Sequence, residues 1–205
     1  MWVKWLGQSA KPQPGQAFLI EPGQTQALSD VCLPVQIRGE SLLFEPPAGK
    51  IWLPGEQLEF WGPLGKPFDP PPGCRKWLLL APEGHLGRLL PLVEQGLDQG
   101  ISLAAWASQP LPSLPPAVEL LTGIPEGLAW ADYIAVDLGE LDRSQSQALN
   151  AEDLDHARAK KIEALITPPM PCGFGGCGVC AVKARRGWNL ACVDGPVFDW
   201  KSLGR

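Results

Sequence analysis

The pattern of apolar and polar positions in this chain changes near residue 65. Before that point, short apolar runs are separated by Pro-Gly and Pro-Pro pairs, which is typical of β-strands joined by fixed turns. The predicted strands are 17–20, 31–37, 41–44, 50–53 and 57–61. The first third of the chain is therefore predicted to form a small β-barrel or β-sandwich.

The middle of the chain has a different pattern. Prolines between residues 65 and 73 exclude regular structure there. Beyond them, continuous apolar runs of strand length alternate with helix candidates, which favours a parallel α/β sheet. The predicted strands are 76–81, 101–107 and 133–138, and the predicted helices are 86–95, 117–122 and 151–166. Asn150 is a suitable N-cap for the last helix, which should end before Pro168.

Composition and charge exclude several classes of protein. Of the 205 residues, 45% are hydrophobic and 19% are charged, so the chain can bury a core and is not a charged disordered segment. The net charge of -5 argues against a general nucleic-acid binder, which would carry a basic excess. The charge is uneven, however, because residues 172–205 contain five basic and two acidic side chains.

No stretch of the sequence is suited to a membrane. The longest uncharged stretch, 99–118, is interrupted by prolines, and the N-terminus lacks the apolar run of a signal peptide. We therefore expect no membrane partner and a cytoplasmic location, in which thiols stay reduced. Six cysteines make a thin disulfide framework for this length, and four of them lie within residues 172–205.

These four late cysteines follow the pattern C-x4-C-x2-C-x11-C. Three nearby cysteines and one distant cysteine are close to the plant-type spacing of a 2Fe-2S cluster. Glycines at 173, 175, 176 and 178 would let backbone N–H groups approach a negatively charged cluster. Each iron needs two thiolates, so one tight loop can supply three sulfurs and a neighbouring strand the fourth. The predicted cluster ligands are Cys172, Cys177, Cys180 and Cys192.

Other uses of four cysteines remain open at this point. Structural zinc also takes four cysteines, but its usual pattern is two separated pairs. Two disulfides would be unusual in a reducing compartment, and inert buried cysteines do not need interleaved glycines. The spacing favours the iron–sulfur interpretation over these three.

The residues around the last cysteine add a family resemblance. The stretch Cys192-Val-Asp-Gly-Pro-Val-Phe198, together with the cysteine loop, resembles the C-terminus of the electron-transfer subunits of dihydroorotate dehydrogenase, which are ferredoxin-reductase-like flavoproteins. Weaker matches are Pro14-Gly-Gln-Ala-Phe18 and Pro54-Gly-Glu-Gln-Leu58, the latter followed by a Gly-Pro-Leu-Gly stretch that ends at Gly65. The resemblance spans nearly the whole chain, and its specific motifs lie in residues 172–205.

The resemblance implies a fold and a division into domains. Members of this family join an N-terminal FAD-binding β-barrel, an NAD-binding α/β domain and a small C-terminal 2Fe-2S domain. Here these would be residues 1–65, 66–166 and 167–205. We therefore expect an α+β fold in several parts, with a truncated N-terminal β-barrel, a parallel α/β sheet like the NAD domain of ferredoxin reductases, and a C-terminal iron–sulfur domain.

Departures from the family pattern concern the two nucleotide sites. The family's flavin motif contains an arginine, whereas its counterpart Cys32-Leu-Pro-Val35 has none. The glycine-rich nucleotide loop is replaced by residues 81–88, in which Glu83 would repel phosphate, and a late Cys-Gly-Pro motif is replaced by Val136-Asp137-Leu138. These differences argue against FAD and against NAD. The remaining candidates for contact with a cofactor are Gly62, Pro63, Leu64 and Gly65.

The resulting functional prediction is an iron–sulfur electron-transfer protein that carries single electrons to or from a partner subunit resembling a flavoprotein dehydrogenase. No residue is predicted to be catalytic, because His85 and His156 have no matching carboxylate, serine or metal motif. The basic residues Lys183, Arg185 and Arg186 either form a rim that docks an acidic partner or belong to a solvated hairpin.

Two further functions remain alternatives. One is a non-redox scaffold or assembly protein, in which the cysteines hold zinc or a structural cluster. The other is an NADH-dependent flavoprotein reductase that uses unusual nucleotide contacts.

Overall fold

A computed structural model provides the structure of the chain. It describes residues 1–4, 11–20, 29–45, 52–53, 55, 58–109, 113–140, 149, 151–157 and 159–204. Residues 50 and 51 of the predicted strand 50–53 and the predicted N-cap Asn150 lie outside these residues.

Two antiparallel three-stranded sheets form the N-terminal part. Their strands are β1 (Trp2–Lys4), β2 (Ala17–Ile20), β3 (Asp30–Cys32), β4 (Pro34–Arg38), β5 (Ser41–Phe44) and β6 (Phe60–Leu64). The orders are β1-β5-β4 and β3-β2-β6. Phe18 and Phe44 are buried in their shared core, and Phe18 meets Phe44 and Phe60 edge to face. The predicted strands at 17–20 and 41–44 are confirmed, while the predicted run 31–37 is divided at Leu33.

A six-stranded sheet forms the centre of the molecule. Its strands are β7 (Lys76–Ala81), β8 (Ser102–Ala107), β9 (Val118–Leu120), β10 (Tyr133–Asp137), β11 (Lys161–Leu165) and β14 (Val197–Asp199). The strands β12 (Ala181–Lys183) and β13 (Trp188–Leu190) form a separate C-terminal hairpin. The order of the sheet is β14-β11-β10-β7-β8-β9. All neighbours in this sheet are parallel except β11 and β14. The predicted parallel α/β sheet is therefore confirmed in its main strands.

Helices cover both faces of this sheet. They are α1 (Leu90–Asp98), which follows a 3₁₀ turn at Leu86–Leu89, α2 (Ile124–Trp130) and α3 (Ala151–Asp155). On one face, Leu79 packs in a cluster with Leu92 and Val93 of α1. On the other, Leu78 shares a cluster with residues of α2 and α3. The side chains of each strand point alternately toward the two helical layers, so both faces of the sheet are buried. The strand sequences are therefore continuously apolar.

Two predicted helices are wrong. Residues 117–122 contain the short strand β9 instead of a helix, and residues 151–166 contain only the brief helix α3 before the strand β11. The sheet offers β11 a place between β10 and β14, where Ile162, Ala164 and Leu165 are all buried. Pairing on both sides outweighs the helix propensity of this charged segment, since propensity is weak against tertiary context.

Backbone pairing joins the C-terminal segment to the rest of the molecule at β14 and at residues 195–196. Strand β14 pairs with β11, with Leu165 opposite Val197, so the segment contributes an edge strand to the central sheet. The backbone N–H of Lys66 donates to the carbonyl oxygen of Gly195, and Lys66 forms a parallel bridge with Pro196. Among the helices that the structure describes, none has both the length and the apolar character needed to cross a bilayer.

Candidate metal centre

The four late cysteines lie on one excursion from the central sheet. The chain leaves the sheet at the end of β11, forms the cysteine loop and the β12–β13 hairpin, and returns at β14. Gly173, Gly175 and Gly178 have φ between 70° and 81°, a backbone conformation that glycine adopts without strain. A Cβ on Gly173 would lie 2.8 Å from Cδ1 of Leu19, so the loop also approaches β2 closely. The prediction that these glycines allow a tight loop is supported at these three positions.

One pair of thiols is buried and in contact. The Sγ atoms of Cys180 and Cys192 are 3.3 Å apart, and both residues are buried within the cluster that covers one face of the sheet. Burial raises the pKa of Cys192 to about 12, and the hydrogen bond with Cys180 acts in the same direction. Without a metal ion, the thiol of Cys192 therefore stays protonated at neutral pH.

The other pair lies nearer the surface. Cys172 is half-buried and Cys177 is exposed. The backbone N–H groups of Phe174 and Cys177, followed by the Cys177 side chain, stabilise the charged form of Cys172 and lower its pKa to about 6. The loop thus already carries N–H donors that favour a thiolate.

The two pairs are close enough to interact. The charge of Cys172 raises the pKa of Cys192, and the backbone N–H of Gly175 acts on Cys192 in the opposite direction. Within the described residues, no three Cys, His, Asp or Glu side chains are arranged around a single point that could hold one metal ion. The loop therefore presents two neighbouring thiol pairs rather than one tetrahedral set.

The donor set fits an iron–sulfur cluster. Thiolates are the usual ligands of such clusters, and backbone N–H groups aimed at sulfur offset their negative charge. Both features are present here, in the four cysteines and in the N–H groups of Phe174, Gly175 and Cys177. The other two cysteines, Cys32 and Cys74, are buried elsewhere.

The surface around the loop is apolar as well as basic. Phe174 and Trp188 are 77% and 68% exposed, and Val179 and Val193 are also exposed. The predicted basic residues Lys183, Arg185 and Arg186 are exposed on the adjoining hairpin. The sequence analysis missed the apolar component, although apolar side chains inside a glycine-rich loop were a signal for it.

The candidate cofactor residues Gly62, Pro63, Leu64 and Gly65 lie at a packing seam. A Cβ on Gly62 would be 2.7 Å from the ring of Phe18, and one on Gly65 would overlap the backbone of Gly195. Gly62 precedes a cis peptide bond to Pro63, and Leu64 lies near Gly173 of the cysteine loop. A contact between these residues and a cofactor stays a prediction.

The counterpart of the flavin motif lines a cavity of about 420 Å³. Cys32, Leu33 and Val35 contribute to its wall, as does Arg88, a basic residue that the sequence analysis did not connect with this place. The wall also carries three carboxylates, from Asp30, Glu45 and Glu140. Among the described lining residues, this excess of carboxylates over guanidinium does not fit the diphosphate of FAD.

Comparisons with known proteins indicate which protein family this chain resembles. Residues 168–204 match the iron–sulfur cluster binding domain of dihydroorotate dehydrogenase B. The chain is 23% identical to putative electron transfer subunits of dihydroorotate dehydrogenase B (NAD(+)) from Thermotoga petrophila and Thermotoga maritima, over 98% of this chain and 90% of theirs.

A solved structure of another protein has a fold similar to that of this chain. It comes from a study of flavin-based electron bifurcation through the NADH-dependent reduced ferredoxin-NADP oxidoreductase. The TM-score is 0.75 at 17% identity, and the match covers 99% of this chain and 83% of that chain. The mixed α+β fold with several sheets is therefore confirmed, while the domain bounds 1–65, 66–166 and 167–205 stay predictions. The predicted resemblance is confirmed: the chain is similar over nearly its whole length to dihydroorotate dehydrogenase electron-transfer subunits, and its C-terminal segment matches their iron–sulfur cluster binding domain.

Proposed function

We propose that this chain is an electron-transfer subunit in which Cys172, Cys177, Cys180 and Cys192 hold a 2Fe-2S cluster. The observation that carries the proposal is the division of the thiols into two neighbouring pairs on one excursion from the central sheet. One pair, Cys180 and Cys192, has its sulfurs 3.3 Å apart, and the other is linked by a hydrogen bond between Cys172 and Cys177. When bound, such a cluster supplies a redox centre that gains and loses one electron at a time.

The pairing favours two irons over one zinc. Structural zinc requires four ligands arranged tetrahedrally around a single ion. The described cysteines lie in two pairs, and each iron of a 2Fe-2S cluster takes two thiolates. The two observed pairs therefore provide one ligand pair for each iron.

The loop also supports the negative charge of a thiolate-bound cluster. The N–H groups of Phe174 and Cys177 lower the pKa of Cys172, and the N–H group of Gly175 acts in the same sense on Cys192. Such donors lie within a low-polarity surrounding on the Cys192 side, where electrostatic interactions are strong. They would stabilise the cluster and influence its reduction potential.

The surface beside the loop suits a protein partner. Exposed aromatic and aliphatic side chains next to basic ones are typical of an interface rather than of a free surface. We propose that Phe174 and Trp188 form the apolar centre of this docking surface, and that Arg185 and Arg186 form its basic rim. The partner would be a dehydrogenase subunit with an acidic margin around an apolar patch.

The cysteine assignment is tested by anaerobic purification of the full chain, followed by EPR, visible absorption and analysis of iron, sulfide and zinc. We expect two irons and two sulfides per chain and an EPR signal on one-electron reduction. Cys177→Ser should lose the cluster, while the control Cys74→Ser should keep it, since Cys74 lies apart from the loop. A colourless wild type that contains zinc would contradict the proposal and favour the scaffold alternative.

The docking surface is tested separately with the holoprotein and its dehydrogenase subunit. Arg185→Glu with Arg186→Glu should slow electron transfer at least tenfold at low salt, and less at high salt because screening weakens the rim. Lys4→Glu with Arg75→Glu makes the same change in charge on other exposed residues and serves as the control. Equal effects of the two double variants would remove the basic rim from the proposal.

The cytoplasmic location stays a prediction.

A further inference from the structure

The crevice at the centre of the sheet is where a dinucleotide would be expected. The strand β7 has β8 on one side and β10 on the other, so the direction of the strand order reverses there. In open α/β sheets, ligands bind at the carboxyl ends of the strands at such a switch point. The phosphates then receive hydrogen bonds from backbone N–H groups of the loop after the first strand.

In this chain, that position is filled by the side chain of Asp137, the last residue of β10. Its Oδ2 accepts a hydrogen bond from the backbone N–H of His85 at 3.0 Å, and its Oδ1 accepts one from the N–H of Gly139 at 2.8 Å. The side chain is fully buried. A carboxylate of the protein thus occupies the N–H donor of His85, which follows β7, and that of Gly139, which follows β10.

The loop after β7 has few donors left for a ligand. The N–H of Gly84 donates to the backbone oxygen of Asp137 at 3.1 Å. The N–H of Gly87 donates to Nδ1 of His85, and the N–H of Arg88 donates to the backbone oxygen of His85. Together with the N–H of His85 itself, four donors of residues 84–88 are directed at protein acceptors.

The close approach of Gly84 to Asp137 also lets the protein's own carboxyl group contact this loop. A Cβ on Gly84 would overlap the carboxyl group of Asp137, so only glycine lets the loop come this near. In dinucleotide-binding folds, a glycine at this kind of turn gives the backbone access to the pyrophosphate. Here the access is given to the carboxyl group of Asp137.

The charges of the side chains at the opening of this crevice also disfavour a phosphate. Glu83 and Glu140 line a cavity of about 390 Å³ above Asp137. Arg88 is the guanidinium that lines it among the residues that the structure describes, and it is engaged, because Nη1 donates to Oγ1 of Thr167 at 2.8 Å and lies 3.8 Å from Oδ1 of Asp137.

We infer that Asp137 closes the dinucleotide crevice of this chain from within, so that NAD(H) does not bind there. The carboxylate takes the place of a ligand phosphate, and the loop 82–88 is held in a closed form by it. Electrons consequently do not enter from a nicotinamide at this crevice. The inference goes beyond the proposed function and does not depend on it, because cluster loading and nucleotide binding are measured separately.

The experiment titrates NADH and inorganic pyrophosphate into the purified full chain by calorimetry. Wild type should show no saturable heat with NADH up to millimolar concentration. Asp137→Ala frees the N–H groups of His85 and Gly139 and should bind pyrophosphate at least tenfold more tightly than wild type. Glu140→Ala removes one negative charge from the mouth but leaves Asp137 in place, so it should change that affinity less than threefold.

Three outcomes would overturn the inference. The first is saturable NADH binding to wild type that pyrophosphate displaces, which needs no variant and stands even if Asp137→Ala fails to fold. The second is an equal gain in Glu140→Ala and Asp137→Ala, which would reduce the effect to general charge repulsion. The third is an Asp137→Ala variant with a native circular dichroism spectrum that binds no pyrophosphate.

Discussion

Among the thiols of the cysteine loop, Cys172 and Cys192 differ most in acidity. The pKa of Cys172 is lowered to about 6 by backbone N–H donors, and the pKa of Cys192 is raised to about 12 by burial. In metal-free protein, Cys172 is therefore mostly thiolate above pH 6, whereas Cys192 remains a thiol across the neutral range. Before a metal binds, Cys172 is therefore already a thiolate, whereas Cys192 must still release its proton.

This difference predicts selective alkylation of the metal-free protein. With iodoacetamide, Cys172 should react first, and its rate should reach half of its plateau near pH 6, because the thiolate is the nucleophile. Cys192 should stay unmodified between pH 5 and pH 8. Mass spectrometry of peptides after short reaction times measures both rates. The assignment of acidities would be wrong if the rate of Cys172 began to rise only above pH 8.

At the residue scale, the sequence reveals ligands better than it reveals their surroundings. Cysteine spacing alone predicts four residues that the structure places on one excursion from the central sheet, because ligand chemistry demands particular residue types at short spacing. The role of Asp137 could not be predicted in the same way. Its carboxylate matters only because the loop containing Gly84 and His85 folds back onto it, a contact between residues more than fifty positions apart.

Among the elements, the central strands were predictable and the later ones were not. The predicted strand 76–81 is confirmed to the residue, because a strand buried on both faces is apolar throughout. The sequence predicts a helix over 151–166, because Asn150 is a suitable cap and the acidic residues come early and the basic ones late. Its second half forms β11, and nothing local distinguishes Lys161-Ile-Glu-Ala-Leu165 from a helical stretch.

A buried carboxylate joins the strands β10 and β11 to the loop that precedes β7. Glu163 of β11 accepts a hydrogen bond from the hydroxyl of Tyr133 at 2.6 Å and one from the backbone N–H of Asp69 at 2.9 Å. Lys161 Nζ lies 2.9 Å from its other oxygen and 3.1 Å from the carboxylate of Asp69. Burial alone would lower the pKa of Lys161, but the hydrogen bonds to Glu163 and Asp69 raise it overall.

This network predicts a large loss of stability in Lys161→Met. Removing the ammonium leaves the charge of Glu163 buried without its cation, which costs about 3 kcal/mol in the free energy of unfolding. Urea denaturation at pH 7 measures the loss. Because the pKa of Lys161 is raised on folding, its stabilising contribution is complete at neutral pH and disappears only as the pH rises above 10.5 through the folded value.

The neighbouring Lys160→Met serves as the control for that experiment. Lys160 is exposed, so its loss should change the free energy of unfolding by no more than about 0.5 kcal/mol. Similar losses in the two variants would show that the ion pair with Glu163 does not stabilise the sheet.

For the whole molecule, cluster loading should stabilise the fold. Four thiolates bound to one cluster tie residues 172 and 192 together, and a cross-link across a loop of this size stabilises by about 3 kcal/mol. For a chain of this length, that corresponds to a rise in Tm of about 6–12 °C. Scanning calorimetry of the loaded and the metal-free wild type under anaerobic conditions measures the difference.

Cys177→Ser provides the comparison at this scale. Prepared without metal, it should melt within about 2 °C of the metal-free wild type, because Cys177 is exposed and makes few packing contacts. An equal Tm for loaded and metal-free wild type would mean that the loop is already fixed without its cluster.

The pairing of Leu165 with Val197 has a consequence for how the molecule could have been assembled. Because β11 and β14 are antiparallel neighbours, the whole stretch 166–196 begins and ends at adjacent points of one ladder. Topologically, it is an insert within a β-hairpin, and a turn of a few residues would close the same hairpin without it. The connectivity of the central sheet thus does not depend on this stretch, whereas its core does, because Cys180 and Cys192 pack in the cluster that covers one face of the sheet.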